Sequence, residues 1–266
     1  MHNTSYHRAS SVDDAAAMMA KAEDGKFVSG GQTLIPTMKQ RLAAPSDLID
    51  LRHIAAMKGI SINGDQVTIG AATTHAEVAS SKELRAICPG ICNLAGHIGD
   101  PAVRHMGTIG GSIANNDPAA DYPSAMMALN AQIMTNKRTI NADDFFTGMF
   151  ETALEDGEII TAVSFAAPAK SAYAKFPNPA SRYAMAGVFV TRQKDGAARV
   201  GVTGAGASGV FRHEGMEKAL TDNWSADSVA NASVDEGMML SDIHGDSAYR
   251  ANLVKVMAKR AVAAAG

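Results

Sequence analysis

Cysteine is scarce: Cys88 and Cys92 are the only two in 266 residues, four positions apart in the run CPGIC. A disulfide framework, a four-thiolate zinc site and a full ligand set for an iron–sulfur cluster are therefore excluded within this chain. The two thiols are expected to lie buried on one face of a short helix. Charge of neither sign dominates, since 24 Lys and Arg against 27 Asp and Glu leave a net charge of −3, so electrostatics gives no reason to expect nucleic acid or an anionic membrane as partner. No apolar run reaches the ~20 residues that a membrane span requires, and the N-terminal MHNTSYHRASSVDDAAAMM has no apolar stretch of signal-peptide length. A reducing cytoplasm is the compartment these absences fit. A P-loop is missing too, because no G-x-x-x-x-G-K-[ST] occurs and Lys26 precedes the nearest glycine pair.

Apolar bulk is plentiful: 46% of the residues are hydrophobic, enough for a full core and, at this length, for two domains. The chain is expected to open with a helix, in which Ser11 and Asp14 form a capping-box-like pair ahead of AAAMMAKAEDG and Gly25 is the stop. Phe27-Val28 is a short β run leading into Gly30-Gly31, and an amphipathic segment followed by DLIDL closes a compact βαβ-like unit. ISINGDQVTIGAATT predicts a hairpin turning at Asn63-Gly64. THAEVASSKELRAICPGICNLAGHIG reads as helix, PSAMMALNAQIMT as a helix running into a strand, and GEIITAVSFAAP as a strand, with Pro168 as a domain edge. Beyond it, YAMAGVFVTRQ and ARVGVTGAG are β-like and DSAYRANLVKVMAKRAVAAA is a long helix, together predicting a small antiparallel sheet covered by helices.

The densest turn signals lie in GTIGGSIANNDPAADYP, residues 107–123. Paired glycines let backbone approach another object and aim successive amides at it. The following Asp-Pro-x-x-Asp run predicts a helix start, with Asp117 as N-cap and Pro118 at the first helical position. A loop of bare amides feeding a helix favours a phosphate, although such loops also serve as plain connectors. Gly30-Gly31 is a second pair of this kind, and two such loops suit opposite sides of one diphosphate. Gln32 and Thr33 beside the first pair, and Thr108, Ser112 and Asn115 beside the second, add neutral donors and acceptors, while Asp121 offers an acceptor for a hydroxyl. The alternative for these polar residues is ordinary loop solvation. His53, His75, His97 and His105 lack metal-ligand spacing and are expected to have no chemical role.

SGGQTLIPTMKQRLAAPSDLIDL, IGAATTHAEVASS, HIGDPAVRHMGTIGGSIANNDPAADYPSAMMALNA and FFTGMF together resemble the flavin-binding medium subunit of molybdenum hydroxylases, the family of carbon monoxide dehydrogenase and xanthine dehydrogenase. KFPNPASRYAMAGVFV and VGVTGAGASGVFRHEGMEKAL extend the likeness toward the C-terminus. The resemblance implies an α+β chain: a vanillyl-alcohol-oxidase-type (PCMH-type) FAD-binding domain over 1–167, in subdomains of about 1–54 and 55–167, and a C-terminal domain of antiparallel sheet with helices over 168–266. Matched by position, Ser29, Gly30, Gly31, Gln32 and Thr33 form the first FAD loop, and Thr108, Ile109, Gly110, Gly111 and Ser112 the second. Ala114, Asn115 and Asp121 fall on further cofactor contacts, Ile98-Gly99 on a turn passing close to the flavin, and Lys175 and Tyr183 on positions that approach the flavin ring. Ser29 stands where alanine is commoner in the family, a change expected to matter little because the backbone is what approaches the ligand. Gln32 occupies the place where covalently flavinylated relatives of the fold often carry histidine, so the FAD is expected to be non-covalent.

The resemblance further implies an electron-exit subunit of a heterotrimer, assembled as a dimer of heterotrimers. A large molybdenum-cofactor subunit would oxidise substrate, a small subunit with two [2Fe-2S] clusters would relay electrons, and the FAD here would pass them to an external acceptor. No catalytic side chain and no metal site is then needed in this chain. Two alternatives stand beside it. One is a scaffold subunit with structural FAD; the other is a Rossmann-type nicotinamide enzyme using GAGASG, Gly204 to Gly209, which matches G-x-G-x-x-G after a β-like run. Against the latter, TDNWSADSVANAS does not read as a buried second strand, and only about sixty residues follow Gly204, too few for a dinucleotide fold.

Overall fold

A computed structural model describes residues 1–266. Its first sheet is parallel, with β1 (Ser5–Arg8), β2 (Gly25–Val28) and β3 (Asp47–Asp50) in the order β1-β3-β2. Helices α1 (Val12–Met19) and α2 (Leu34–Lys39) make the crossovers. Ser11 caps α1 by accepting the Asp14 amide, which leaves one fewer unpaired donor in the first turn. The chain opens with a strand rather than a helix, because Ser5–Arg8 pairs in parallel with β3; being largely exposed, it carries no alternating pattern in the sequence. Gly25 opens β2 instead of stopping α1, and a side chain there would stand 2.7 Å from the Met19 sulfur and 2.9 Å from Ala22 Cβ.

The hairpin of β4 (Ile60–Asn63) and β5 (Gln66–Gly70) turns through Gly64 at φ +57°, a left-handed conformation that glycine adopts without strain. Six short helices follow: α3 (His75–Ser80), α4 (Lys82–Ile87), α5 (Pro89–Gly96), α6 (Pro101–Met106), α7 (Ile109–Asn115) and α8 (Tyr122–Ala128). The one helix expected from Thr74 to Gly99 is thus three. Ser81, extended at ψ 113°, ends α3 and caps α4, and Cys88 leaves the helical region before Pro89, as a residue preceding proline tends to do. Both cysteines are fully buried, with Cys88 at the N-cap of α5 and Cys92 within it.

Strands β6 (Gln132–Thr135) and β7 (Thr139–Asn141), the single turn α9 (Ala142–Phe145), the small hairpin β8 (Phe146–Gly148) and β9 (Glu151–Thr152), and β10 (Ile160–Ala166) complete this part. The second sheet runs β4-β5-β10-β6-β7, antiparallel throughout, with β10 at its centre. One hydrophobic core joins this sheet to α1, β3, helices α3 to α5 and helices α7 to α9, and it continues into Tyr173 and Phe189 of the next sheet.

The third sheet is an antiparallel meander of β11 (Lys170–Pro177), β12 (Ala184–Arg192), β13 (Ala198–Thr203) and β14 (Phe211–Arg212). Helices α10 (Glu214–Asp222) and α11 (Ser247–Ala265) enclose a second core against it. Gly204 and Gly209, at φ +79° and +99°, turn β13 back antiparallel into β14. GAGASG is therefore a hairpin connection that leads into an antiparallel strand and not into a helix, and the Rossmann alternative falls. The architecture is α+β, and no helix is long and apolar enough to cross a membrane.

This sheet reaches the rest of the molecule through glycines. At Gly90, an added Cβ would stand 2.9 Å from Phe189 Cζ and 3.0 Å from the Ala172 amide, and at Gly201 it would run into the Ser124 carbonyl of α8. Overpacking of this kind costs about 1–3 kcal/mol. Gly201→Ala is accordingly expected to lower the thermal midpoint by several degrees, roughly 2–4 °C per kcal/mol for a chain of this size; an unchanged midpoint would contradict this packing of α8 on β13.

Candidate functional site

A cleft of about 560 Å³ opens where the three sheets meet, within the range of small-molecule and cofactor sites. Its wall is built from the end of β2 and the loop after it, from α6 and α7 with the segment to Asp121, from Leu154 to Ile160 at the entry to β10, and from Tyr183 ahead of β12. Leu51, Met57, Ile98, Ile159 and Ile160 supply apolar surface. Lys26 is the single full cation of the lining, against Asp117, Asp121 and Glu158.

Glu158 is not free to act on a ligand. It accepts from Thr135 Oγ1 at 2.7 Å, from the Glu155 amide at 2.8 Å and from Arg138 at 3.0 and 3.1 Å. Burial raises its pKa, but these donors outweigh that and hold it at about 2.

The two glycine loops differ in a way the sequence does not reveal. The amides of Gly30, Gly31, Gln32, Thr33 and Leu34 find no acceptor within the chain, so five consecutive donors line one wall of the cleft. The second loop is not bare. Ile109 N donates to Thr73 O at 3.1 Å, Gly110 N to Ala71 O at 2.9 Å, Gly111 N to Thr108 Oγ1 at 3.1 Å and Ser112 N to Thr108 O at 3.0 Å. The glycine pair sits inside the first turn of α7, with Thr108 as N-cap. Gly110 lets that turn seat on the residues after β5, since a side chain would stand 2.5 Å from Ala71 Cβ. Gly30 lets the loops touch, because its Cβ would collide with the Met106 carbonyl and lie 2.5 Å from Gly107 Cα. A direct bond joins the loops as well: the Ser29 and Thr108 hydroxyls are 2.8 Å apart.

Asp117 and Pro118 do not begin a helix. Asp117 Oδ1 accepts the Ala119 amide at 2.8 Å in an Asx turn, and α8 starts at Tyr122. Asp121 holds the N-cap position without capping. Its carboxylate instead accepts from the Tyr173 hydroxyl and from Lys175 Nζ at 3.0 Å, both on β11. The Asp121 and Lys175 side chains are 6% and 5% exposed, so this is a buried ion pair tying α8 to the third sheet. Burial pushes the Asp121 carboxyl above its ordinary value, with Lys175 and Tyr173 pulling it back.

Ser29, Gly30, Gly31, Gln32, Thr33, Ile98, Thr108, Gly110, Gly111, Ser112, Ala114, Asn115, Asp121 and Tyr183 all line the cleft. Three expected residues stand behind it. Gly99 makes a left-handed turn at φ +50° against Val103, Ile109 is fully buried, and Lys175 lies beyond Asp121. Tyr183 is half exposed, its hydroxyl pKa raised by partial burial and by Asp117 and Asp121.

His75 was not foreseen. It lines the cleft, is 4% exposed, and its Nδ1 has no partner. Burial, helped by Arg104, lowers its pKa to about 4 and keeps the ring neutral near pH 7. Nothing in the sequence separates it from the other histidines; the signal is its position directly after the capping Thr74, whose helix packs inward. The whole arrangement offers a row of neutral donors between apolar walls. That suits a long ligand with an anionic middle, held by dipoles rather than by lysines.

The Asp121–Lys175 pair gives a direct test. Removing one partner of a buried pair leaves the other uncompensated, at a cost of about 3–5 kcal/mol. Asp121→Asn should show a loss of this order in urea unfolding, and Asp121→Asn combined with Lys175→Met should recover part of it. Equal stability of Asp121→Asn and the unsubstituted protein would contradict the pairing.

Known proteins resemble this chain along nearly its whole length. A family described as the FAD binding domain in molybdopterin dehydrogenase matches residues 2–168. The nicotine 6-hydroxylase medium subunit of Paenarthrobacter nicotinovorans is 33% identical over 98% of this chain and 96% of its own length. The carbon monoxide dehydrogenase medium chain of Afipia carboxidovorans is 35% identical over 97% and 94%. Among solved structures, reconstituted CO dehydrogenase from Oligotropha carboxidovorans superposes with a TM-score of 0.90 at 36% identity, covering 99% of this chain and 97% of that one. On the strength of this likeness along its whole length, the chain belongs to the FAD-binding medium subunits of the molybdenum hydroxylases and is an oxidoreductase subunit.

Proposed function

We propose that this chain is the electron-exit subunit of a heterotrimeric molybdenum hydroxylase, holding one non-covalent FAD. The observation that carries the proposal is the row of acceptor-free amides from Gly30 to Leu34 in a cleft that α7 and Tyr183 also line. The residues fit the cofactor: consecutive amides with one lysine nearby suit a diphosphate, and the apolar walls suit flat ring systems. Ser29 to Thr33 would lie along the diphosphate, with Thr108, Gly111 and Ser112 opposite. Ile98, Ala114, Asn115 and Tyr183 would bound the remainder, while Gly99, Ile109, Asp121 and Lys175 shape the wall from behind. When bound, FAD supplies the ability to take electrons singly and release them in pairs.

The chain carries two buried cysteines and no grouping of residues that could hold a metal ion. Substrate oxidation is therefore assigned to a large molybdenum-cofactor subunit, and electron delivery to a small subunit with two [2Fe-2S] clusters, in a cytoplasmic dimer of heterotrimers. In this reading residues 1–167 form the FAD-binding domain, in subdomains of about 1–54 and 55–167, and 168–266 a C-terminal domain that brings Tyr183 to the cleft.

Stopped-flow absorbance separates this role from substrate oxidation at the flavin. The FAD-loaded subunit alone is expected to keep its yellow colour when mixed with a substrate of the assembled enzyme, and the assembled complex to bleach. Equal bleaching by the lone subunit would overturn the relay role. Flavin that stays oxidised in the complex while the clusters are reduced would point instead to a scaffold with structural FAD.

A further inference from the structure

Ser29 and Thr108 belong to different loops, and their hydroxyls form a pair with a proton to spare. Thr108 Oγ1 lies 2.8 Å from Ser29 Oγ and accepts the Gly111 amide at 3.1 Å; neither hydroxyl has another partner in the chain. Two hydroxyls bring two protons, and the bond between them uses one. Thr108 is 2% exposed, while Ser29 is only partly buried at the cleft wall. Because Ser29 is the more exposed of the two, the order that delivers the remaining proton to the cleft has the Gly111 amide donating to Thr108, Thr108 to Ser29, and Ser29 outward. All links point the same way, so each donor polarises the next. The missing side chain of Gly111 keeps the spot open, since a Cβ there would stand 3.0 Å from Thr108 Oγ1 and 3.7 Å from Ser29 Cβ.

We infer that Ser29 is a phosphate-binding residue, whose hydroxyl, oriented by Thr108 and the Gly111 amide, donates to an anionic oxygen of the diphosphate lying along Gly30 to Leu34. This rests on the FAD assignment above. It reverses the expectation that serine in place of alanine changes little. In a wall with Lys26 as its single cation, a polarised hydroxyl chain supplies a directed donor without the desolvation cost of a second buried charge.

The test measures the FAD dissociation constant of the full-length protein and of Ser29→Ala and Ser29→Thr. It is joined to ³¹P NMR of the bound FAD and to thermal melting of the FAD-free chain. Ser29→Ala is expected to weaken FAD binding about tenfold, as loss of a hydrogen bond to a charged acceptor does. It should also shift one ³¹P resonance and leave the FAD-free melting unchanged, and Ser29→Thr should restore both readouts. Ser29→Ala binding FAD as tightly as the unsubstituted protein, with the same ³¹P spectrum, would overturn the inference. Weakened binding that merely follows a lowered FAD-free melting point would overturn it too, making the pair a structural latch. No FAD binding by the unsubstituted protein would overturn the inference and the flavin assignment together.

Discussion

The cleft depends on one close contact, the seating of the Gly30 backbone on the Met106-Gly107 backbone, where any side chain would collide with the Met106 carbonyl. That contact fixes the distance between the loop after β2 and the start of α7. The first turn of α7 is fixed in turn on the second sheet, because its amides bind Thr73, Ala71 and the Thr108 hydroxyl. One loop is therefore immobilised by its own hydrogen bonds, while the other is pressed against it with its amides unused. Amides already bonded within the chain cannot serve a ligand, whereas unbonded ones beside a cleft are open to it or to water, so in the proposed reading the anion lies against the first loop.

The third sheet is attached by a different kind of force. Gly90 and Gly201 permit close packing of α5 and α8 on the strands, and the Asp121–Lys175–Tyr173 cluster fixes the register of that packing. A buried pair of this kind adds little net stability over a well-packed apolar replacement, yet loss of one partner alone is costly. Its effect on the site is indirect but definite: Asp121 sits at the cleft edge, Lys175 lies one strand behind, and β11 leads through the segment before Ala184 to Tyr183. The ring-bearing wall is thus positioned by an ion pair that touches the cleft at one edge.

Sequence disclosed what depends on local chemistry. The Asn63-Gly64 turn, the Ser11 cap and the Gly30-Gly31 loop stand where their residue types demand, whereas Gly110-Gly111 lies inside the first turn of α7. It did not disclose what depends on partners distant in the chain. Strand β1 is mostly exposed and β11, KSAYAKFP, mixes small and charged residues, so neither shows a clear two-residue period, and both exist because β3 and β12 pair with them. Whether an amide in a glycine loop is free or already bonded is likewise a tertiary fact: Ala71 and Thr73 lie more than thirty residues before Gly110 and Ile109, whose amides their carbonyls accept. His75 and the bond between the Ser29 and Thr108 hydroxyls escaped for the same reason, since each depends on packing between elements distant in the chain.

Amide hydrogen exchange with and without FAD tests the central claim most directly. The amides of Gly30 to Leu34 are predicted to exchange quickly in the FAD-free protein and to become protected when FAD binds, whereas those of Ile109 to Ser112 are predicted to be protected in both states. Fast exchange at Ile109 to Ser112 without FAD, with protection gained there and not at Gly30 to Leu34 on binding, would contradict the account.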